Sequence, residues 1–384
     1  MKDMNWTAAM GTRATGERLS RMQSSPRWKG DRFRNVMPQE EPKMWSTLRE
    51  LIKGGSKHRT PEEPLPTVPR RGEEFTDHPA SGLRVTWLGH STSLVEIDGL
   101  RVILDPVFGP RASPFSWAGP KRFFAPPLPL SELPELDLVV LSHDHYDHLD
   151  YPTIVQLAQT DVSFIAPLGV GAHLELWGVD PERIVELDWW DSHEIAGVTL
   201  TATPARHFSG RSMTMSDRDR TLWAGWSIRG PEHAVYFSGD TAMFPGFAEI
   251  GERLGPFDIG LVESGAYNIH WRDAHIGPEQ AVLASQLVQA ELFMPIHWGT
   301  FDLSLHGWTE PIERIAQAAD AAGVALATPR PGESVIPAHQ IPTDRWWPEL
   351  DWKSGAEAPV ISSGLSDELV ARIRALMAAP SPTS

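Results

Sequence analysis

Apolar residues along this chain fall into two rhythms. Short apolar runs close on a polar residue beside Gly or Pro. These are Leu138-Val139-Val140-Leu141, Val198-Thr199-Leu200-Thr201-Ala202-Thr203, Ala234-Val235-Tyr236-Phe237 and Glu291-Leu292-Phe293-Met294. Runs of this length predict buried strands. Residues 84–88, 93–97 and 101–104 predict three more, opening the body as a hairpin series. Helical spacing appears over 151–159, 245–254, 278–290 and 309–322, and again near 366–377. Strands alternating with helices after a strand-rich opening predict an α/β (α+β) body of two sheets with helices outside. No repeat of solenoid length is present.

The strand ends carry the chemistry. After Leu141 the chain reads Ser142-His143-Asp144-His145-Tyr146-Asp147-His148. With fifteen His in 384 residues, such a cluster arises by chance in roughly one chain per thousand. Neutral imidazole suits zinc, iron and copper, and a carboxylate adds charge without softness. His143 and His145 are two apart on extended backbone and point the same way. Asp147 and His148 need a turn to reach the same space, which fits two adjacent metals better than one. Three later strand-like runs end near His207, Asp240 and His297. Any one of these alone is more often structural; ligand types at four strand ends in series are a stronger signal.

These segments resemble the metallo-β-lactamase superfamily. Within it, the chain is similar to the N-acylphosphatidylethanolamine-hydrolysing phospholipase D family and its bacterial relatives. The likeness runs over residues 80 to 335. It includes Trp87-Leu88-Gly89-His90-Ser91-Thr92, Leu104-Asp105-Pro106-Val107-Phe108, Gly119-Pro120-Lys121-Arg122-Phe123, Gly265-Ala266-Tyr267 and His297-Trp298-Gly299-Thr300-Phe301. The resemblance implies a four-layered αββα sandwich with metals at one end, between the sheets. It implies His143, His145 and His207 on one metal, Asp147, His148 and His297 on a second, and Asp240 bridging them. It implies two divalent ions, zinc first, with manganese or iron tolerated by the same donors. His275, in Ala274-His275-Ile276-Gly277-Pro278, is implied beside the substrate phosphate; its structural alternative is a residue at the start of the next helix. His90 is expected to support the metal floor, because metal-bound imidazoles donate their other N–H to such groups. Tyr267 is a candidate substrate or support residue, and Trp271 a candidate for the substrate entrance.

Glu263-Ser264 and Asn268-Ile269-His270 depart from the animal pattern, which has apolar residues at the first pair. Both stretches are expected near the pocket mouth, where they would set headgroup and acyl-chain preference.

Composition narrows the chemistry. The chain has no Cys, so thiol catalysis and thiolate metal sites are excluded. Its apolar runs fall far below the roughly 18 residues that span a bilayer. Residues 1–11 lack an apolar core of signal-peptide length. A cytoplasmic location is expected, with peripheral membrane contact as an addition. Net charge is −16, yet residues 1–59 hold 13 basic against 6 acidic residues, a local +7 that leaves −23 for the rest. The organisation read from this is a basic extension and Pro-rich linker over 1–79, a catalytic body over 80–337 and a C-terminal extension over 338–384. The basic arm has two readings, a strap on the acidic body or a contact for anionic lipid. A short amphipathic helix is expected over 42–53, with Trp45, Leu48 and Ile52 on one face. Disorder is expected over 379–384. Sixteen Trp are expected mostly in the core.

The resemblance implies a metal-activated water that attacks phosphorus or a carbonyl carbon, with Asp147 orienting it and His275 protonating the leaving oxygen. A phospholipase D-type phosphodiesterase on N-acylated phospholipid is the first reading. A lactonase or carboxylic-ester hydrolase on the same scaffold is the alternative, and a metal-binding module without turnover is the third. A phospholipid or another small molecule is the expected partner, and a second copy of the chain is a candidate. Nucleic acid is not expected, because an acidic body repels its backbone.

Overall fold

A computed structural model describes residues 6–40, 49–50, 52 and 54–379. Two mixed sheets lie face to face. The first contains β3 (Leu83–Gly89), β4 (Thr92–Ile97), β5 (Leu100–Leu104), β6 (Leu138–Val140), β7 (Ser163–Pro167) and β8 (Ile184–Leu187), with β15 (Ser334–Val335) on the edge beside β3. The second runs from β9 (Ser192–Ile195) through β10 (Val198–Thr203), β11 (Gly225–Arg229), β12 (Ala234–Phe237) and β13 (Ile259–Glu263) to β14 (Phe293–Ile296). The hairpin expected at 93–104 closes through Asp98 and Gly99, both at positive φ (48° and 89°). An Asp-Gly pair suits that left-handed two-residue turn.

Side-chain alternation makes the layers. On β6, Leu138 and Val140 join the cluster that holds Ala202 and Trp226 of the opposite sheet. Val139 points the other way, into a cluster with Ile154, Leu157 and Leu174 of the covering helices Tyr151–Leu157 and Gly171–Leu176. The second sheet is covered by Gly246–Leu254, Pro278–Leu287, Glu310–Ala322 and Asp367–Met377. All five of the helices expected from spacing in the body and C-terminal extension start and stop within a few residues of it. Glu310–Ala322 ends where Gly323 adopts φ 63°, the left-handed cap that only glycine takes without strain. Ser366 caps Asp367–Met377 by accepting from the Leu369 N–H. The short Gly171–Leu176 helix was not legible from spacing.

The Trp residues are largely core, as composition suggested. Trp87 and Trp298 stack at 5.6 Å, and Trp346 of the C-terminal extension stacks on Trp298 at 5.2 Å. The basic arm packs on the body across its described residues. It forms the helices Trp6–Ala9 and Gly16–Ser24 and a hairpin of β1 (Trp28–Lys29) and β2 (Arg32–Phe33). Phe33 is fully buried. Arg18 pairs with Glu186 at 2.6 Å and Glu175 at 2.9 Å, so part of the local positive charge is spent on the acidic body. The amphipathic segment expected over 42–53 lies outside the described residues except at 49, 50 and 52, as does the tail 380–384.

Candidate metal centre

Seven donor side chains converge where the strands end at one edge of the sandwich. The loop after β6 supplies His143, His145, Asp147 and His148. The loops after β10, β12 and β14 supply His207, Asp240 and His297. Two four-residue groups take up these donors, each with its donor atoms within 4.8 Å of one another: His143, His145, His207 and Asp240, and His90, Asp147, His148 and His297; a third, Asp240, Glu263, His275 and His297, overlaps both. In the first, His143 Nε2 is 2.8 Å and His207 Nε2 3.2 Å from His145 Nδ1, and both lie 3.7–3.8 Å from Asp240 Oδ2. In the second, His148 Nε2 and His297 Nε2 stand 3.5 and 3.2 Å from Asp147 Oδ2. Asp240 reaches this group as well, 3.1 Å from His148 Nε2 and 3.2 Å from His297 Nε2.

These edges fit metal ions. Donors on a tetrahedral zinc at 2.0–2.1 Å stand about 3.4 Å apart, the middle of the distances above. His148 Nε2 and Asp240 Oδ1 are buried with no hydrogen-bond partner, although they are near each other. A buried polar atom without a partner is costly unless something else satisfies it. Three of the outward nitrogens are anchored as metal-bound imidazoles require, whereas His297 Nδ1 is buried without a hydrogen-bond partner. His148 Nδ1 donates to Asp105 Oδ2 at 2.6 Å, His207 Nδ1 to the Ala274 carbonyl at 2.6 Å, and His143 Nδ1 meets Ser142 Oγ at 2.9 Å.

Electrostatics divide the two groups. Burial, with neighbouring imidazoles, drives His143 and His207 well below the usual histidine range. Burial works the same way on His148 and His297, yet the Asp240 and Asp147 carboxylates overturn it. His148 is held well above its ordinary value and His297 is pushed up to about 10. Burial alone would raise Asp147 and Asp240, and the surrounding imidazoles hold both well below the carboxylate range. Without metal, the His143 and His207 imidazoles are therefore neutral, while those of His148 and His297 hold protons.

His90 sits at φ 54° after β3, with Nε2 3.0 Å from Asp147 Oδ2. Asp105 and His297 also take positive φ, 37° and 66°. Each such non-glycine residue stores of order 1–3 kcal/mol, a cost found where surrounding packing enforces a functional geometry. His275 joins the centre from the loop before the Pro278–Leu287 helix, Nδ1 3.8 Å from Asp240 Oδ2. It and Trp271 line a cavity of about 260 Å³ with Gln39, Phe208, Arg218 and Leu303.

One expectation is corrected. Glu263 and Ser264 are fully buried at the end of β13, not at a pocket mouth. Parallel pairing on both sides, with β12 and β14, puts this strand in the sheet interior. Glu263 is hydrogen-bonded to His275 Nδ1 and accepts the Thr241 N–H at 2.5 Å. Burial and the Asp240 charge push its carboxyl well up, while burial takes His275 down to about 4. Tyr267, the candidate substrate or support residue, is buried. Its hydroxyl donates to Glu310 at 2.9 Å, and its ring stacks on His306 at 4.4 Å. Glu263 and Asp105 are site residues that spacing missed. Their signal was a lone acid at the end of an apolar strand, which reads equally well as a turn residue.

Known proteins agree with this geometry. The profile of the beta-lactamase superfamily domain matches residues 100–298. An uncharacterized protein of Mycobacterium tuberculosis is 43% identical over 88% of this chain and 92% of its own length. An N-acyl-phosphatidylethanolamine-hydrolyzing phospholipase D of Caenorhabditis elegans is 38% identical, over 64% of this chain and 72% of its own. The structure of Igni18, a metallo hydrolase from Ignicoccus hospitalis, superposes with a TM-score of 0.52 at 25% identity, covering 66% of this chain and 97% of that one. Two donor groups at the strand ends of a double-sheet sandwich, on a sequence carrying that domain, make this chain a metal-dependent hydrolase of the metallo-β-lactamase superfamily.

Proposed function

We propose that the chain is a phosphodiesterase of phospholipase D type, hydrolysing an N-acylated glycerophospholipid to phosphatidic acid and an N-acylethanolamine. The observation that carries the reading is the position of His275 on the wall of the cavity next to the two donor groups. The likeness to the nematode phospholipase D supports it.

When bound, divalent cations supply a water of lowered pKa and neutralise charge on the reacting oxygens. His143, His145 and His207 would hold one ion and Asp147, His148 and His297 another, with Asp240 between. The protein's own groups do the rest. Asp147 stays ionised among its imidazoles and can accept a hydrogen bond from the attacking water, fixing its direction. His90 Nε2 stands 3.0 Å from the same Asp147 Oδ2 that faces His148 and His297 and helps to hold that carboxylate in place. The proton-bearing Glu263 carboxyl donates to Nδ1 of His275, so that Nε2 carries a proton for the leaving alkoxide and Nδ1 takes the Glu263 proton as Nε2 gives up its own. The cavity is below the 300–1,000 Å³ typical of a pocket that swallows a drug-sized ligand. It suits a headgroup with its acyl chains left outside.

Purified protein loaded with zinc should release phosphatidic acid from N-acylated phosphatidylethanolamine faster than it opens any of a panel of lactones. Lactone hydrolysis dominating in the same assay would replace this reading with the carboxylic-ester alternative. The His275 role has its own test. His275→Ala should lower phosphodiester turnover about 100-fold, and Glu263→Gln about tenfold in the wild-type background. Adding Glu263→Gln to His275→Ala should cost nothing further, because groups acting as a unit are not additive. Independent, multiplying losses would show that Glu263 does not act through His275.

A further inference from the structure

The arm that precedes the body does more than neutralise charge. Asn35 brackets the backbone of the metal-ligating His207: its Nδ2 donates to the His207 carbonyl at 2.6 Å and its Oδ1 accepts the His207 N–H at 3.1 Å. β10 ends at Thr203, so His207 lies beyond the reach of its ladder. Buried backbone groups need partners wherever they fall. An amide side chain carries one donor and one acceptor side by side and can serve both. Gln39 Nε2 then donates to the His207 carbonyl at 3.2 Å and to the Asp273 carbonyl at 2.8 Å. It ties the ligand to the loop that carries His275.

The same region collects the other terminus. Arg206, fully buried beside His207, donates to the Pro38 carbonyl at 2.6 Å and the Ser363 carbonyl at 2.8 Å. Asp273 accepts from the Glu40 N–H at 2.8 Å and from Ser363 N and Oγ at 2.7 and 2.6 Å. Gln39 and Glu40 also form part of the wall of the His275 cavity. Residues 35–40 and Ser363 thus meet behind one metal ligand and under the loop of the candidate proton donor.

We infer that Asn35 is a positioning residue for the metal centre, holding His207 in register with the other donors, with Gln39 coupling that ligand to the His275 loop. This does not depend on which ester the enzyme cleaves. It assigns the basic N-terminal arm to completion of the active site.

The test uses the full-length chain and zinc alone. Zinc affinity is measured by competition with a colorimetric chelator, and stability of the metal-free protein by urea unfolding. Asn35→Ala should weaken zinc binding about 10- to 100-fold, the cost of losing a partner that orients a ligand. Gln39→Ala should weaken it by a smaller factor, about threefold on the same scale. Arg18→Ala breaks the ion pairs to Glu175 and Glu186 and loosens the arm away from His207. It should lower stability yet leave zinc affinity within about twofold. Unchanged zinc affinity in Asn35→Ala, or an equal loss in Arg18→Ala, would overturn the inference. If Asn35→Ala does not fold, Gln39→Ala decides: unchanged zinc affinity there overturns it equally.

Discussion

Asp240→Asn is expected to empty both donor groups and to lower hydrolysis by at least about 100-fold, beyond the effect of losing an outer partner alone. The reason is placement. One carboxylate faces His143 and His207 at 3.7–3.8 Å and His148 and His297 at 3.1–3.2 Å. Its two oxygens thus stand within 4 Å of imidazoles from both groups. The amide keeps the shape and loses the charge, so each ion would lose an anionic donor at once. His143→Ala removes a donor from one group only and should leave part of the bound metal. Elemental analysis beside a turnover assay separates the two variants. An Asp240→Asn protein that retains its full metal content would sink the bridging role.

The second large effect is a competition between metal and protons. In the metal-free centre His148 and His297 hold protons at neutral pH, because the Asp240 and Asp147 carboxylates outweigh burial; His297 stays charged up to about 10. His143 and His207 are driven neutral by burial and contribute none. Ligating imidazoles must be neutral, so loading displaces what the centre holds. Zinc added at pH 7 should release about two protons per chain, and apparent affinity should fall about 100-fold for each unit of acidification around neutrality. The sign follows from the raised values: protons win as pH falls, and the dependence fades only as pH climbs past the raised range. A pH-indicator titration in weak buffer reads the release directly. Zinc binding with no proton release would mean that His148 and His297 are already neutral. Chelation should abolish hydrolysis, and added zinc should restore it.

Much of this centre was legible before any coordinates because strand ends punctuate sequence. The run Leu138-Val139-Val140-Leu141 and the histidines after it are local, and so are the short apolar runs before His207, Asp240 and His297. Helix spacing was equally local, with Pro and Gly marking the ends of Pro278–Leu287 and Glu310–Ala322. Buried acids were not. Glu263 looks like a surface substitution until parallel neighbours enclose its strand. The partner of the Tyr267 hydroxyl, Glu310, lies 43 positions later and shows only in the fold.

The amino-acid order by itself determined which side chains can bind metal, the periods that build the sheets and helices, and the opposed charges of arm and body. These are properties of residues or of near neighbours, and backbone periodicity alone exposes them. The tertiary structure decided which groups share one space: Asp240 between two clusters, Glu263 behind His275, and Asn35 against His207 across 172 positions. Such pairings depend on how sheets stack and how the termini wrap around them. No spacing rule encodes a hydrogen bond between groups that only folding brings together.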